Sequence, residues 1–295
     1  MKRILFKSLF LCSLLSFAAC EIYEQDSFTE EYYVEAYLIA GEPLEELRFS
    51  TTAPVDESYS FNKVAYKGAD VTVYKLGENN ERLETIPFYE SRSGRYHPIE
   101  DFIVQPRKTY ELNIVTQENK KVKASTTIPD TFSVSEIVRE RAIYESSEKI
   151  QANITRSWYP DRQNVFIFST EALKPEEYAM TPYYHSENSG TRSTNQWVRS
   201  EVINEGNFDI NSDGTVSILY PWEIISWFGP SKATILALDT NVYDYYRSQD
   251  VQIGGSVQSP GQFDNVISNV EGGKGLFGGI AQTSFEIYVE PPADD

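Results

Sequence analysis

Tyr33-Val34-Glu35-Ala36-Tyr37-Leu38-Ile39 is the stretch whose reading decides the fold. Tyr33, Glu35, Tyr37 and Ile39 alternate with Val34, Ala36 and Leu38. A period of two in a run rich in aromatic and β-branched residues predicts a strand buried along one face or both. Outward from it, the same pattern predicts strands over 47–53, 69–76, 82–89, 109–116 and 121–128. Turns such as Gly77-Glu78-Asn79-Asn80, Ser93-Gly94 and Glu118-Asn119-Lys120 separate several of them. Short strands at this spacing over roughly 100 residues predict an immunoglobulin-like β-sandwich for residues 31–129. Its expected core includes Val34, Ala36, Leu38, Val71, Val73, Tyr110, Leu112 and Ile114.

Pro129-Asp130-Thr131 interrupts the pattern, since proline cannot donate to a ladder and restricts the residue before it. Strands are predicted again over 134–143, 149–158, 164–169, 197–202, 216–220, 233–238 and 283–290. Val165-Phe166-Ile167-Phe168 is apolar throughout, as in a central strand. Asp239 is placed to cap a helix reaching Ser248, because Val242, Tyr245 and Tyr246 recur at helical spacing. The expected fold is therefore mostly β, with two consecutive β-sandwich domains. The second, residues 130–290, is larger, has short helices and a glycine-rich C-terminal loop, and is followed by a tail, 291–295.

Lys2, Arg3 and Lys7 precede a short apolar run and Ala18-Ala19-Cys20. Small residues before a cysteine resemble a lipobox, which predicts a signal peptide over 1–19 and acylation of Cys20. Cleavage would remove Cys12 and leave Cys20 as the only cysteine, so no disulfide or cysteine-based zinc cluster is available to a monomer. The remaining chain carries 23 basic against 44 acidic residues, a formal charge of −21. Such a surface repels phosphate backbones and anionic headgroups, which argues against nucleic-acid binding and for membrane attachment through the lipid alone. Residues 20–30 form an acidic tether that resembles the acid-rich tract of surface-exposed lipoproteins, which implies display on the cell exterior.

Candidate chemistry is sparse. Gly273-Lys274-Gly275-Leu276-Phe277-Gly278 matches G-x-G-x-x-G, but that motif needs a helix after it, whereas 285–289 reads as a strand. Gly272, Gly273, Gly275, Gly278 and Gly279 are therefore expected to form a structural glycine loop closing the fold. Asp209, Asn211 and Asp213 fit the first half of a calcium loop, yet Tyr220 stands where a bidentate Glu belongs, and Asp213-Gly214 predicts a hairpin turn instead. The polar, tyrosine-rich stretch from Leu173 to Gln196 offers Tyr178, Tyr183 and Tyr184, with Trp197 just beyond, as a ligand or partner contact. No catalytic, cofactor or metal residue is predicted.

Tyr243-Asp244-Tyr245-Tyr246-Arg247-Ser248 is followed about twenty residues later by Asn265-Val266-Ile267-Ser268-Asn269-Val270-Glu271-Gly272-Gly273-Lys274-Gly275-Leu276-Phe277-Gly278. With the lipobox and the strands containing Gly68-Ala69-Asp70-Val71-Thr72-Val73 and Tyr110-Glu111-Leu112, this resembles the domain of unknown function 4249 family of Bacteroidota outer-membrane lipoproteins. The resemblance implies an outer-membrane lipoprotein, often encoded beside a TonB-dependent receptor, with no catalytic residues to carry over. The expected role is a surface-exposed, non-catalytic binding or accessory module for a TonB-dependent transporter or another outer-membrane β-barrel. A surface glycan-binding protein using the aromatic loop is the alternative, and a hydrolase without a recognisable motif the third.

Overall fold

A computed structural model describes residues 28–54, 57–187, 196–253 and 266–293. The expected signal peptide, Cys20 and most of the tether lie outside the described residues. The first half of the chain contains β1 (Tyr32–Ile39), β2 (Leu47–Thr51), helix α1 (Phe61–Val64), β3 (Asp70–Leu76), β4 (Arg82–Arg92), β5 (Arg95–Pro98), β6 (Thr109–Val115) and β7 (Lys121–Thr127). The second contains β8 (Val134–Arg139), β9 (Arg141–Ile143), β10 (Gln151–Ile154), β11 (Val165–Ala172), helix α2 (Pro182–Glu187), β12 (Trp197–Arg199) and β13 (Ile203–Asn204). It continues with β14 (Asp209–Ile210), β15 (Val216–Leu219), β16 (Gly229–Leu238), helix α3 (Thr240–Ile253) and β17 (Lys274–Glu290). The protein is mostly β and sandwich-like, with a large mixed sheet and a smaller one.

The large sheet runs β12-β11-β16-β17-β1-β2-β5-β4-β3-β6-β7. It bends back on itself, because Lys123 in β7 exchanges both backbone hydrogen bonds with Glu271, at 3.0 and 2.8 Å, three residues before β17 begins. The small sheet, β14-β15-β10-β8, turns Ala152, Ile154, Val216 and Ile218 inward onto the same core as Phe166, Phe168, Ala233 and Phe285. All eight core residues expected for the first half are buried in that contiguous cluster.

The boundary expected near residue 130 is crossed by strand pairing. β17 runs parallel to β1 from Lys274 to Ile280 and antiparallel to β16 from Ile280 to Val289. One strand thus belongs to both halves, and the described residues from Glu31 onward form one compact unit.

The glycine stretch is a correction to the expected loop. Only Gly272 and Gly273 lie in a turn, while Gly275, Gly278 and Gly279 sit inside β17, which begins nine residues earlier than the predicted final strand. The physical reason is crowding, at one edge by β1 and on one face by α3. Gly275 has φ +109°, and a Cβ there would collide with the Val34 carbonyl of β1; one at Gly278 would collide with Val242 of α3. Glycine is demanded by close approach rather than by a chain reversal.

Candidate functional site

Because β1 alternates, Val34, Ala36 and Leu38 enter the core and Tyr33, Glu35, Tyr37 and Ile39 face outward. Helix α3 lies on this outer face, where Val242 packs with Ile167, Leu238, Leu276 and Ile280 in a second, smaller apolar cluster. The Tyr33 and Tyr245 hydroxyls are 2.6 Å apart, those of Tyr37 and Tyr246 are 3.1 Å apart, and the Tyr245 and Tyr246 rings meet edge-on at 5.8 Å. Burial, then the tyrosine partner, pushes the Tyr33 and Tyr37 hydroxyls well above the usual tyrosine range, so both stay neutral donors and acceptors. Arg199 of β12 braces the helix, bonding Asp250 at 2.9 Å and lying 4.6 Å from the Tyr246 ring centre.

Three side chains hold this wall in place. Asp239, fully buried, accepts the Val242 amide at 2.7 Å as the helix cap and the Thr126 hydroxyl from β7, while its own amide bonds Gly279. Burial raises its carboxyl to about 6 in spite of those bonds. Ser248, also buried, accepts the Ile267 amide at 2.9 Å and ties the incoming chain to α3. Asn269 takes the role of a missing strand. Its Oδ1 accepts from the Phe277 amide at 3.1 Å and its Nδ2 donates to the Phe277 carbonyl at 2.8 Å, on the edge of β17 that β16 does not reach. Asn241 donates to the same carbonyl and to Ser125.

Beside the tyrosine wall the outer face of β1 remains open as two hollows. One, about 390 Å³, is lined by Glu35, Tyr37, Glu45, Glu46, Arg48 and Tyr246 among others. The other, about 260 Å³, is lined by Glu31, Tyr33, Thr52, Tyr245, Ser268 and Lys274 among others. The rim is charged: Arg48 bonds Glu46 at 2.9 Å and approaches Glu35 at 3.4 Å, and Lys274 is 4.0 Å from Glu31. Partial burial raises the Glu46 carboxyl, but bonds from Arg48 and Arg95 outweigh it and hold the group below the usual carboxylate range. Neutral aromatic hydroxyls walled by exposed carboxylates and two cations suit binding of a polar or basic surface.

The four aromatic residues expected to make a contact are divided among separate supports. Tyr178 packs edge-on against Tyr288 at 6.1 Å and lies over Gly229. Tyr183 and Tyr184 meet at 5.1 Å in α2, but the Tyr184 hydroxyl bonds the Glu223 carbonyl at 2.8 Å and its ring packs on the core, leaving Tyr183 as the half-exposed member. Trp197 is exposed on β12, the strand that carries Arg199. Asp209, Asn211 and Asp213 sit in and beside the β14–β15 hairpin. Asp213 accepts from the Thr215 amide and hydroxyl at 2.9 and 2.7 Å, and Asn211 donates to Thr215, so these groups serve the turn. Among the described residues there is no group of three or more His, Cys, Asp or Glu placed to hold a metal ion, and no helix long and apolar enough to cross a membrane.

The tyrosine wall escaped the sequence reading because its partners are 212 and 209 residues apart. The signal that could have found it is the outward set Tyr33, Glu35, Tyr37, whose aromatic members are out of place on a solvent face.

No curated protein matches the chain. Among solved structures it is similar to activated alpha-2-macroglobulin from Escherichia coli, with 8% identity, coverage of 72% of this chain and 14% of that one, and a TM-score of 0.22. It is also similar to three N-terminal domains of the bacteriophage RB49 Highly Immunogenic Outer Capsid protein, with 11% identity, coverage of 89% and 70%, and a TM-score of 0.24. The chain spans a small part of the macroglobulin's length, and likenesses this slight carry no argument. The family profile described as Domain of unknown function (DUF4249) matches residues 20–286, and the chain belongs to that family.

Proposed function

We propose that this protein is a lipid-anchored outer-membrane lipoprotein, facing the exterior, that acts as a non-catalytic binding or accessory module for a β-barrel transporter of the TonB-dependent kind. The lipobox-like Ala18-Ala19-Cys20 and the resemblance described above support the address. The observation that carries the binding role is the groove on β1, whose tyrosine wall is fixed by hydroxyl pairs before any partner arrives. Pre-organisation of this kind favours binding by lowering the ordering penalty. Residues 20–30 reach at most about 40 Å when extended, which keeps β1 within range of a membrane-embedded partner once Cys20 is acylated.

The test is recovery of partners through a tagged copy in mild detergent. A barrel protein is expected with the natural chain, and strong loss with the rim charge reversals Glu35→Lys and Glu45→Lys. Recovery of no barrel, or equal recovery by the variant, contradicts the reading. Palmitate labelling should vanish in Cys20→Ser. A second reading, glycan binding at α2, draws on the half-exposed Tyr183 ring; it requires glycan-array signal that Tyr183→Ala removes.

A further inference from the structure

We infer that a separate hollow of about 320 Å³, lined by Trp158, Arg156 and Arg162, binds an acidic saccharide, with a sugar ring against the Trp158 indole and its carboxylate or phosphate on the two guanidinium groups. The volume lies at the small end of ligand sites, roughly 300–1,000 Å³, and suits one or two sugar rings. Trp158 is 48% exposed, yet its backbone is fixed, because its carbonyl accepts the Asp130 amide at 2.9 Å and the neighbouring Ser157 hydroxyl bonds the Asp130 carbonyl at 2.7 Å. Arg107, paired with Asp130, lies 5.2 Å from the indole centre and braces the ring from outside the hollow.

The cations differ in how they are compensated. Arg156 forms a two-point pair with the buried Glu205, at 2.7 and 2.9 Å, which fixes its plane and leaves three of five N–H groups for a ligand. Arg162 donates to the Leu238 carbonyl at 2.6 Å, the Gln163 carbonyl at 3.2 Å and the Thr240 hydroxyl at 3.3 Å, all neutral oxygens. Asp239 acts on it only through space, with its own oxygens bonded to Thr126 and Val242. Burial strengthens this charge, which no carboxylate bonds directly, toward an incoming anion. Ser157, Asn164 and Glu205, all more than nine-tenths buried, complete a rigid polar floor. In a chain with 44 acidic residues, an arginine bonded to no carboxylate and a second with N–H groups to spare line the same hollow as a half-exposed indole, which marks a local preference for anions.

The experiment is calorimetric titration of the chain lacking its signal peptide and carrying Cys20→Ser. The probes are a glucuronate oligosaccharide, its carboxyl-reduced neutral counterpart, a hexose 6-phosphate and inorganic phosphate. At least one acidic sugar is expected to bind, and the tighter of the two identifies the acid group. The neutral counterpart should bind at least tenfold more weakly, and raising salt from about 0.05 to 0.5 M should weaken the acidic ligand several-fold. Trp158→Ala should weaken binding at least tenfold while Tyr89→Ala, at an exposed aromatic residue of β4, leaves it unchanged. Arg162→Gln should do the same, but Arg162 also holds the Leu238 carbonyl, so the exposed Trp158 carries the test. Equal binding of neutral and acidic sugars, inorganic phosphate binding as tightly as the sugars, indifference to Trp158→Ala, or no binding of either acidic sugar overturns the inference. Barrel recovery and sugar binding depend on different residues, so each can fail without the other.

Discussion

The two ends of β17 are built differently. From Gly275 to Ala281 every residue is buried, with Phe277 in the main core and Leu276, Gly278 and Ile280 beneath α3. From Phe285 to Glu290 the strand alternates as an ordinary sandwich strand does, with Phe285, Ile287 and Val289 inside. The first end is wedged among β1, β7 and α3 and tolerates no added atoms; the second has one face of slack. A strand shared by both halves, crowded at one end only, makes the halves one unit, and it localises where they can be uncoupled.

The sharpest way to break this contrast is Gly275→Val. A side chain at φ +109° facing the Val34 carbonyl forces β1 and β17 apart, and a loss of 4 kcal/mol or more, on the order of the largest single-site effects, is expected as failure of soluble expression. Phe285→Ala should cost about 3 kcal/mol in denaturant titration, because it empties a core site beside the Tyr220 ring without moving the backbone. If the second end were as crowded as the first, the two losses would be equal.

Asp239 sharpens the picture at the junction. Its folded value of about 6 exceeds the ordinary 3.8, so the folded state holds the proton more tightly. Its contribution to stability is therefore present below about pH 4 and lost as pH rises to about 6, on the order of 2–3 kcal/mol. Asp239→Asn keeps a helix cap and should flatten that slope in thermal melts taken between pH 4 and 7. Tyr37→Phe removes one hydroxyl of a part-buried pair and should cost about 1 kcal/mol, the smallest effect, seen as a shift of a few degrees in Tm.

How much of this was legible follows from the range of each interaction. The alternation in Tyr33–Ile39 gave the strand and its core face, because period is a local property of one segment, but left open whether the other face is buried too. Asp239 and the helix after it were legible for the same reason. The glycines were not: a run of them reads as a turn until β1 is known to press on one edge, and α3 on one face, of a single strand. Asn269 likewise looks like a turn residue, and its service to Phe277 depends on β16 ending short. The groove and the Trp158 hollow are assembled from elements far apart in the chain, which no spacing rule encodes.

The claim that β17 fuses the halves is tested most directly by hydrogen exchange during equilibrium unfolding of the chain from residue 20, with Cys20→Ser. Peptides from β3 and β6 and peptides from β10 and β15 should lose protection at one shared denaturant midpoint, coincident with the fluorescence of the four tryptophans, all of which lie between residues 158 and 227. Two separate midpoints, one for each half, would contradict it.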